Sequence, residues 1–205
     1  MTRRIVVGIS GSSAPIYGIR LLEVLSKTSM VETHLVLSRA AELTVRLETR
    51  GWTRGKVEKL ADHAYAPSNL AASISSGSFI THGMAVIPCS MKTLGHIAHS
   101  TGDDLLARAA DVTLKERRPL ILVPRETPLH LGHLRNMVSI TEMGGIVLPP
   151  VPAFYHQPRT IDDLINHTIG KILDLLGIEH SLFKRWDGSR CAGAVPVSRR
   201  SSLLQ

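Results

Sequence analysis

The chain has 205 residues, 43% of them hydrophobic and only 4% aromatic, enough for one substantial α/β domain with a core of Val, Ile, Leu, Ala and Met. The net charge is +7, but Lys184, Arg185, Arg190, Arg199 and Arg200 against Asp187 alone supply four of those charges at one end. With no basic helix, zinc-finger spacing or aromatic-interleaved strand, nucleic acid is not an expected partner. No run approaches the ~20 apolar residues of a membrane span. The stretch behind Arg3 and Arg4 is too short and too broken by glycine for a signal sequence. Cys89 and Cys191 lack the spacing of a disulfide framework or a zinc site, so a cytoplasmic protein is expected.

In chain order, Ile5 to Ile9 is a strand-length apolar run. It is followed at once by Ser10-Gly11-Ser12-Ser13-Ala14-Pro15 and by helical spacing over Tyr17 to Ser26. A strand, a tight turn and a helix in that order gather free backbone N–H groups where a phosphate can sit. Thr33 to Ser38 predicts a second strand, and residues 40–49 and 56–63 predict helices. The small, polar stretch from Pro67 to Phe79 predicts a loop. Gly83 to Pro88 has the pattern of a buried strand, running into Cys89-Ser90-Met91-Lys92-Thr93 before a helix from Leu94. Asp103 and Asp104 are placed to cap a helix reaching Lys115. Leu120 to Pro124 predicts a strand ending in Arg125-Glu126. A helix over His130 to Met143 is stopped by Gly144-Gly145, and Ile146 to Leu148 is the last strand candidate. Pro149-Pro150-Val151-Pro152 forces an extended connection, and Thr160 to Leu176 predicts a long helix with Asp162 and Asp163 in its first turn. Residues 187–205 have no periodicity and read as a mobile tail behind a domain of residues 1–186.

Strands alternating with helices predict a single doubly wound parallel sheet with helices on both faces, flavodoxin-like or Rossmann-like. Ligands of such sheets bind outside the carboxyl ends of the strands. Gly11–Ser13, Ser90–Thr93 and Arg125-Glu126 should therefore converge on one crevice.

A dinucleotide fingerprint needs G-x-G-x-x-G and an acidic residue after the second strand. Here Ala14 falls where the third glycine belongs, and the second strand ends in Ser38-Arg39. NAD is disfavoured, and NADP survives only through Arg39. A P-loop is excluded by the lack of its lysine motif. A mononucleotide such as FMN suits the hydroxyl-rich turns better. Arg125-Glu126 is a candidate phosphate clamp beside a proton donor or acceptor. His96 with His99, and His130 with His133, lack a third ligand, so no metal is expected. Cys89 has no His-plus-acid partner and is expected to be a small buried residue.

Eight segments together resemble the flavin prenyltransferase family of the UbiX type. They are Val7 to Ser13, Glu32 to Ser38, Ile74 to Phe79, Pro88 to Thr93, Arg108 to Val112, Leu114 to Leu120, Pro124 to Leu129 and Pro152 to Pro158. The resemblance covers about Arg4 to Trp186. It implies a flavodoxin-like fold, assembled as a dodecamer, that binds FMN without metal. It further implies that a dimethylallyl group from dimethylallyl phosphate is joined to N5 and C6 of reduced FMN. The product, prenylated FMN, serves a partner decarboxylase of the UbiD type.

On this resemblance Gly11, Ser12, Ser13, Ser38, Ser90, Met91, Lys92, Thr93 and Arg125 hold FMN. Lys115, Arg125, Glu126, Tyr155 and Lys171 surround the phosphate of the prenyl donor, and Trp186 edges the prenyl pocket. Lys171 stands where the family often has Arg, keeping the charge but losing the bidentate fork. Ser13 and Glu126 are expected to relay a proton, with Lys115 assisting departure of phosphate. Two other readings remain: a peptidyl-cysteine decarboxylase, which would have the same fold but whose catalytic His and Asn-containing loop have no match here, and a non-catalytic FMN-binding subunit of a hydroxyarylic acid decarboxylase, which shares these motifs. One local departure stands out. Ala14-Pro15 replaces the family's Gly-Ala, which disfavours positive φ at residue 14 and removes an N–H at residue 15; if the loop needs either, FMN should bind more weakly.

Overall fold

A computed structural model describes residues 2–186; the expected tail, 187–205, lies outside the described residues. Six parallel strands form one sheet in the order β3-β2-β1-β4-β5-β6. They are β1 (Arg3–Ile9), β2 (Val31–Leu37), β3 (His63–Tyr65), β4 (Met84–Cys89), β5 (Leu120–Pro124) and β6 (Ile146–Val147). This is the doubly wound Rossmann order, and without the three-residue edge strand β3 it reduces to the flavodoxin order. In both, the direction of winding reverses between β1 and β4, and the crevice opens at that point.

The central strands β1, β2, β4 and β5 are buried on both faces, as parallel strands under crossover helices must be. On one face Ile5, Val7, Ile9, Leu35, Ala85 and Ile121 pack under α1 (Ile16–Leu25), α2 (Arg39–Glu48) and α7 (Ile161–Leu175). On the other, Val6, Val36, Met84, Val86 and Leu122 pack under α4 (Met91–His99), α5 (Leu105–Lys115) and α6 (Leu131–Glu142). The alternation of Ile5, Val7 and Ile9 against Val6 is the period-2 pattern of a strand serving two cores.

The caps follow the sequence closely. Asp104 accepts from the Ala107 N–H at 2.9 Å. Thr160 and Asp163 form a reciprocal capping box at the start of α7, satisfying two otherwise orphaned donors. Two expectations change. The helix predicted over 56–63 is the shorter α3, Arg54–Glu58. Beyond it Asp62 accepts from the Thr33 N–H and Oγ1, both at 2.8 Å, and so draws the chain into β3. The helix after β4 starts at Met91 rather than Leu94, because Ser90 caps it. Cys89 is buried as expected, and burial pushes its thiol pKa well up.

Candidate functional site

The carboxyl ends of β1, β2, β4 and β5 are tied to one another by short polar side chains and by backbone hydrogen bonds. Ser10, buried just beyond β1, donates from Oγ to the Pro88 carbonyl at 2.9 Å and accepts from the Ser90 N–H at 2.7 Å. Ser12 Oγ donates to the Arg125 carbonyl at 2.8 Å. The Arg125 N–H reaches the Cys89 carbonyl at 3.3 Å, and the Ser38 N–H reaches the Ile9 carbonyl at 3.0 Å. A Cβ added to Gly11 would fall 2.2 Å from the Ala40 Cβ, so only glycine lets this turn lie against the start of α2. The expected convergence of Gly11–Ser13, Ser90–Thr93 and Arg125-Glu126 is therefore present, with the expected Ser38 beside it.

Three helices begin at this rim. Ser38 caps α2 by accepting from the Ala41 N–H at 3.1 Å. Ser90 caps α4 by accepting from the Thr93 N–H at 3.2 Å, and its hydroxyl donates to Thr93 Oγ1 at 3.0 Å. Pro15 begins α1 with a helical φ of −59°. Helix N-termini with aligned donors favour an anion between them. Lys92, Arg125 and Glu126 are exposed at the same rim.

Ala14 does adopt the left-handed conformation, with φ 67°. The residue that holds it there escaped the sequence reading. Glu48, at the end of α2, accepts with Oε2 from both the Ser13 hydroxyl at 2.9 Å and the Ala14 N–H at 2.7 Å. The expected Ser13–Glu126 relay is not formed within the chain: Ser13 is committed to Glu48, while Glu126 Oε1 accepts from the Thr127 N–H at 3.1 Å. Pro15 loses no helical bond, because at a helix start its missing N–H has no carbonyl to meet.

The remaining candidates lie elsewhere in the chain. Lys115 ends α5 and pairs with Glu116, lowering the Glu116 carboxyl pKa. The chain then enters β5 at Leu120, whereas Arg125 follows the far end of that strand. Five residues of strand separate them by about 16 Å along the sheet. Tyr155 donates or accepts at 2.9 Å with His167 Nε2 on α7, and Trp186 meets the Tyr155 ring edge-on at 6.2 Å. Burial, followed by the charges of His156 and Lys171, lowers the His167 pKa. Lys171 lies one turn beyond His167 and sits 3.9 Å from Asp174. The carbonyl of Leu176, just past α7, accepts from Arg3 at the start of β1 at 2.9 Å. Lys171 thus belongs to the half of the molecule away from the crevice. Among the described residues no hydrogen bond or ion pair joins Lys115, Tyr155 or Lys171 to Arg125 or Glu126.

A flavoprotein family model matches residues 1–173. Flavin prenyltransferase UbiX of Salmonella typhimurium is 56% identical over 189 residues, covering 91% of this chain and all of that protein. The probable UbiX-like flavin prenyltransferase of Sedimentibacter hydroxybenzoicus is 53% identical, covering 91% and 98%. The chain belongs to the UbiX-type flavin prenyltransferases of the flavoprotein family. Among solved structures, AnUbiX (PadA1) in complex with FMN and dimethylallyl pyrophosphate superposes with a TM-score of 0.89 at 48% identity, covering 92% of this chain and 99% of that one. A dodecameric FMN-dependent UbiX-like decarboxylase from Escherichia coli O157:H7 superposes at 0.88 and 48% identity, covering 90% and 100%. The cysteine decarboxylase TvaF, at 16% identity and a TM-score of 0.62, shares the fold alone.

Proposed function

We propose that this protein is a flavin prenyltransferase that joins a dimethylallyl group to N5 and C6 of reduced FMN. It releases prenylated FMN for a decarboxylase of the UbiD type. The observation that carries this reading is the rim where Ser10, Ser12 and Gly11 lock three strand ends together under the N-termini of α1, α2 and α4. Backbone donors, short hydroxyls and the Arg125 cation fit a single phosphate and a ribityl chain. The relative that holds FMN with dimethylallyl pyrophosphate supports the same pairing of ligands.

The flavin supplies the nucleophilic N5 and C6, and the chain supplies everything else. Cations around the donor phosphate stabilise the charge that develops as the allylic C–O bond breaks, a role for Lys115, Arg125 and Lys171. Tyr155 orients the leaving phosphate through its hydroxyl, and Trp186 shields the allylic carbon from water. When the second bond forms at C6, the proton displaced there must leave. The Ser13 hydroxyl donates to Glu48 Oε2, which supports Glu48 as the acceptor of that proton through Ser13, and Glu126 is assigned to the departing phosphate. These cations lie on opposite sides of a single chain, so the reaction centre is completed between copies. The dodecameric relative supports that arrangement.

The test is direct. Purified protein given reduced FMN and dimethylallyl phosphate without oxygen should return a flavin heavier by one C5 unit. Bound but unchanged FMN would overturn the proposal in favour of a non-catalytic FMN-binding subunit. Among the described residues no helix is long and apolar enough to cross a membrane.

A further inference from the structure

Away from the crevice, three side chains on one sheet face bring metal-ligating atoms together. β2 carries Glu32 and His34 two residues apart, hence on the same face. The β2–β3 register sets His63 directly opposite His34. The Glu32, His34 and His63 ligand atoms all lie within 4.8 Å of one another. Glu32 Oε1 is 3.0 Å from His34 Nε2 and 3.4 Å from His63 Nε2. Two donors about 2.0–2.1 Å from one ion at a tetrahedral angle lie about 3.4 Å apart, so both separations suit a shared cation.

The surroundings hold Glu32 and His34 in place as ligands. His34 is almost wholly buried, and its Nδ1 meets the Tyr65 hydroxyl at 2.9 Å. Tyr65 in turn lies 3.3 Å from Ser73 Oγ. A partner on the far nitrogen fixes a ligating imidazole in place. Glu32 uses its other oxygen, Oε2, for Arg4 at 3.4 Å, which leaves Oε1 facing the two rings. Arg4 itself lies over the Phe79 ring, 4.7 Å from its centroid. The Asp62 carboxylate beside His63 adds a negative charge that offsets Arg4. The His34 and His63 rings are nearly parallel, 19° apart with centroids at 4.8 Å. His63, whose side chain is 50% exposed, must therefore turn its ring edge toward the ion, which its position on the edge strand permits.

We infer that Glu32, His34 and His63 bind one borderline divalent transition ion, of the Zn²⁺, Co²⁺ or Ni²⁺ class, with water completing the coordination. Imidazole with a single carboxylate selects these ions over Mg²⁺ and Ca²⁺, which prefer oxygen ligands. The site ties the short edge strand β3 to β2. Glu32 lies about 20 Å along β2 from Ser38 at the crevice, so the ion takes no part in prenyl transfer. Nothing in this inference rests on the proposed reaction.

The experiment uses the full-length protein stripped with chelator and titrated with Co²⁺ at neutral pH. A single Co²⁺ per chain should bind, give the visible d–d absorption of a nitrogen- and oxygen-ligated ion, and be displaced by Zn²⁺. His63→Ala, on the exposed edge, and Glu32→Gln should each abolish that absorption while far-UV circular dichroism stays unchanged. A His130→Ala/His133→Ala double variant should retain it. Absence of a saturable signal in the wild type, or its survival in both His63→Ala and Glu32→Gln, overturns the inference.

Discussion

The crevice and the outer face of α7 are built on different principles. At the crevice Ser10, Ser12, Ser38 and Ser90 tie neighbouring strand ends together or cap helices, and Ser13 is held by Glu48. Around α7, Tyr155 bonds His167 and meets Trp186, Lys171 pairs with Asp174, and among the described residues no hydrogen bond or ion pair ties any of them to that rim. Lys115 stands at the opposite end of the sheet with Glu116. The first region is a preorganised cradle that a single fold encodes. The second is a set of cations and aromatics away from the crevice, which on the proposed reading gains its chemistry when another copy supplies a cradle.

Several substitutions break or sharpen this contrast, the largest effects coming first. Within the cradle, Ser13→Ala and Glu48→Gln should each slow prenylated-flavin formation by about 10²-fold or more, the usual contribution of a positioned proton carrier. Glu126→Gln should slow it comparably while FMN still binds. Mass spectrometry of the flavin product under single-turnover conditions measures all three; wild-type rates would remove the residue concerned from the relay. On the outward-facing set, Tyr155→Phe and Lys171→Ala should raise KM for dimethylallyl phosphate by about tenfold or more, as expected for lost hydrogen bonds to a charged group. FMN affinity, read by fluorescence quenching, should not move. A loss of FMN affinity there would erase the distinction between the two regions.

Smaller effects test the scaffold. Backbone and hydroxyl donors of Thr33 hold the Asp62 carboxyl pKa below its usual value. A depressed folded pKa means this stabilisation is present above the unfolded value, near ~3.9, and disappears as pH falls through the lower folded value. Asp62→Asn should cost about 1 kcal/mol at neutral pH, and its urea midpoint should approach that of the wild type at low pH. Last, Ala14 sits at φ 67°, a conformation costing an L-residue roughly 1–2 kcal/mol. Ala14→Gly should therefore stabilise the protein by about 0.5 kcal/mol after the added unfolded-state entropy is deducted. A lower Tm would show that Glu48 already removes the strain.

The parallel sheet was legible because its buried strands read as continuous apolar runs followed by turn residues. β3 was not, because His63–Tyr65 is short, polar and mostly exposed; it is held by pairing with β2 and by Asp62, which no local pattern records. The cradle residues were legible as strand-end motifs. Glu48 was not, since it meets Ser13 only after α2 folds back over the turn. The separation of Lys115 from Arg125 was written in the sequence all the same: one precedes β5 and the other follows it, so they mark opposite ends of one strand. His34 and His63 escaped for a similar reason, being brought together by strand register rather than by spacing.

The central claim is that the cradle and the outward-facing cations of different copies form one reaction centre. Co-expressing Arg125→Ala and Lys115→Ala chains with different tags, then purifying through both tags, yields mixed oligomers. If each centre draws Arg125 from one chain and Lys115 from another, random mixing restores about a quarter of the centres. Prenylated-flavin formation should then approach that fraction of the wild-type rate, although each parent alone is nearly inactive. Mixed oligomers no more active than the parents would contradict the account.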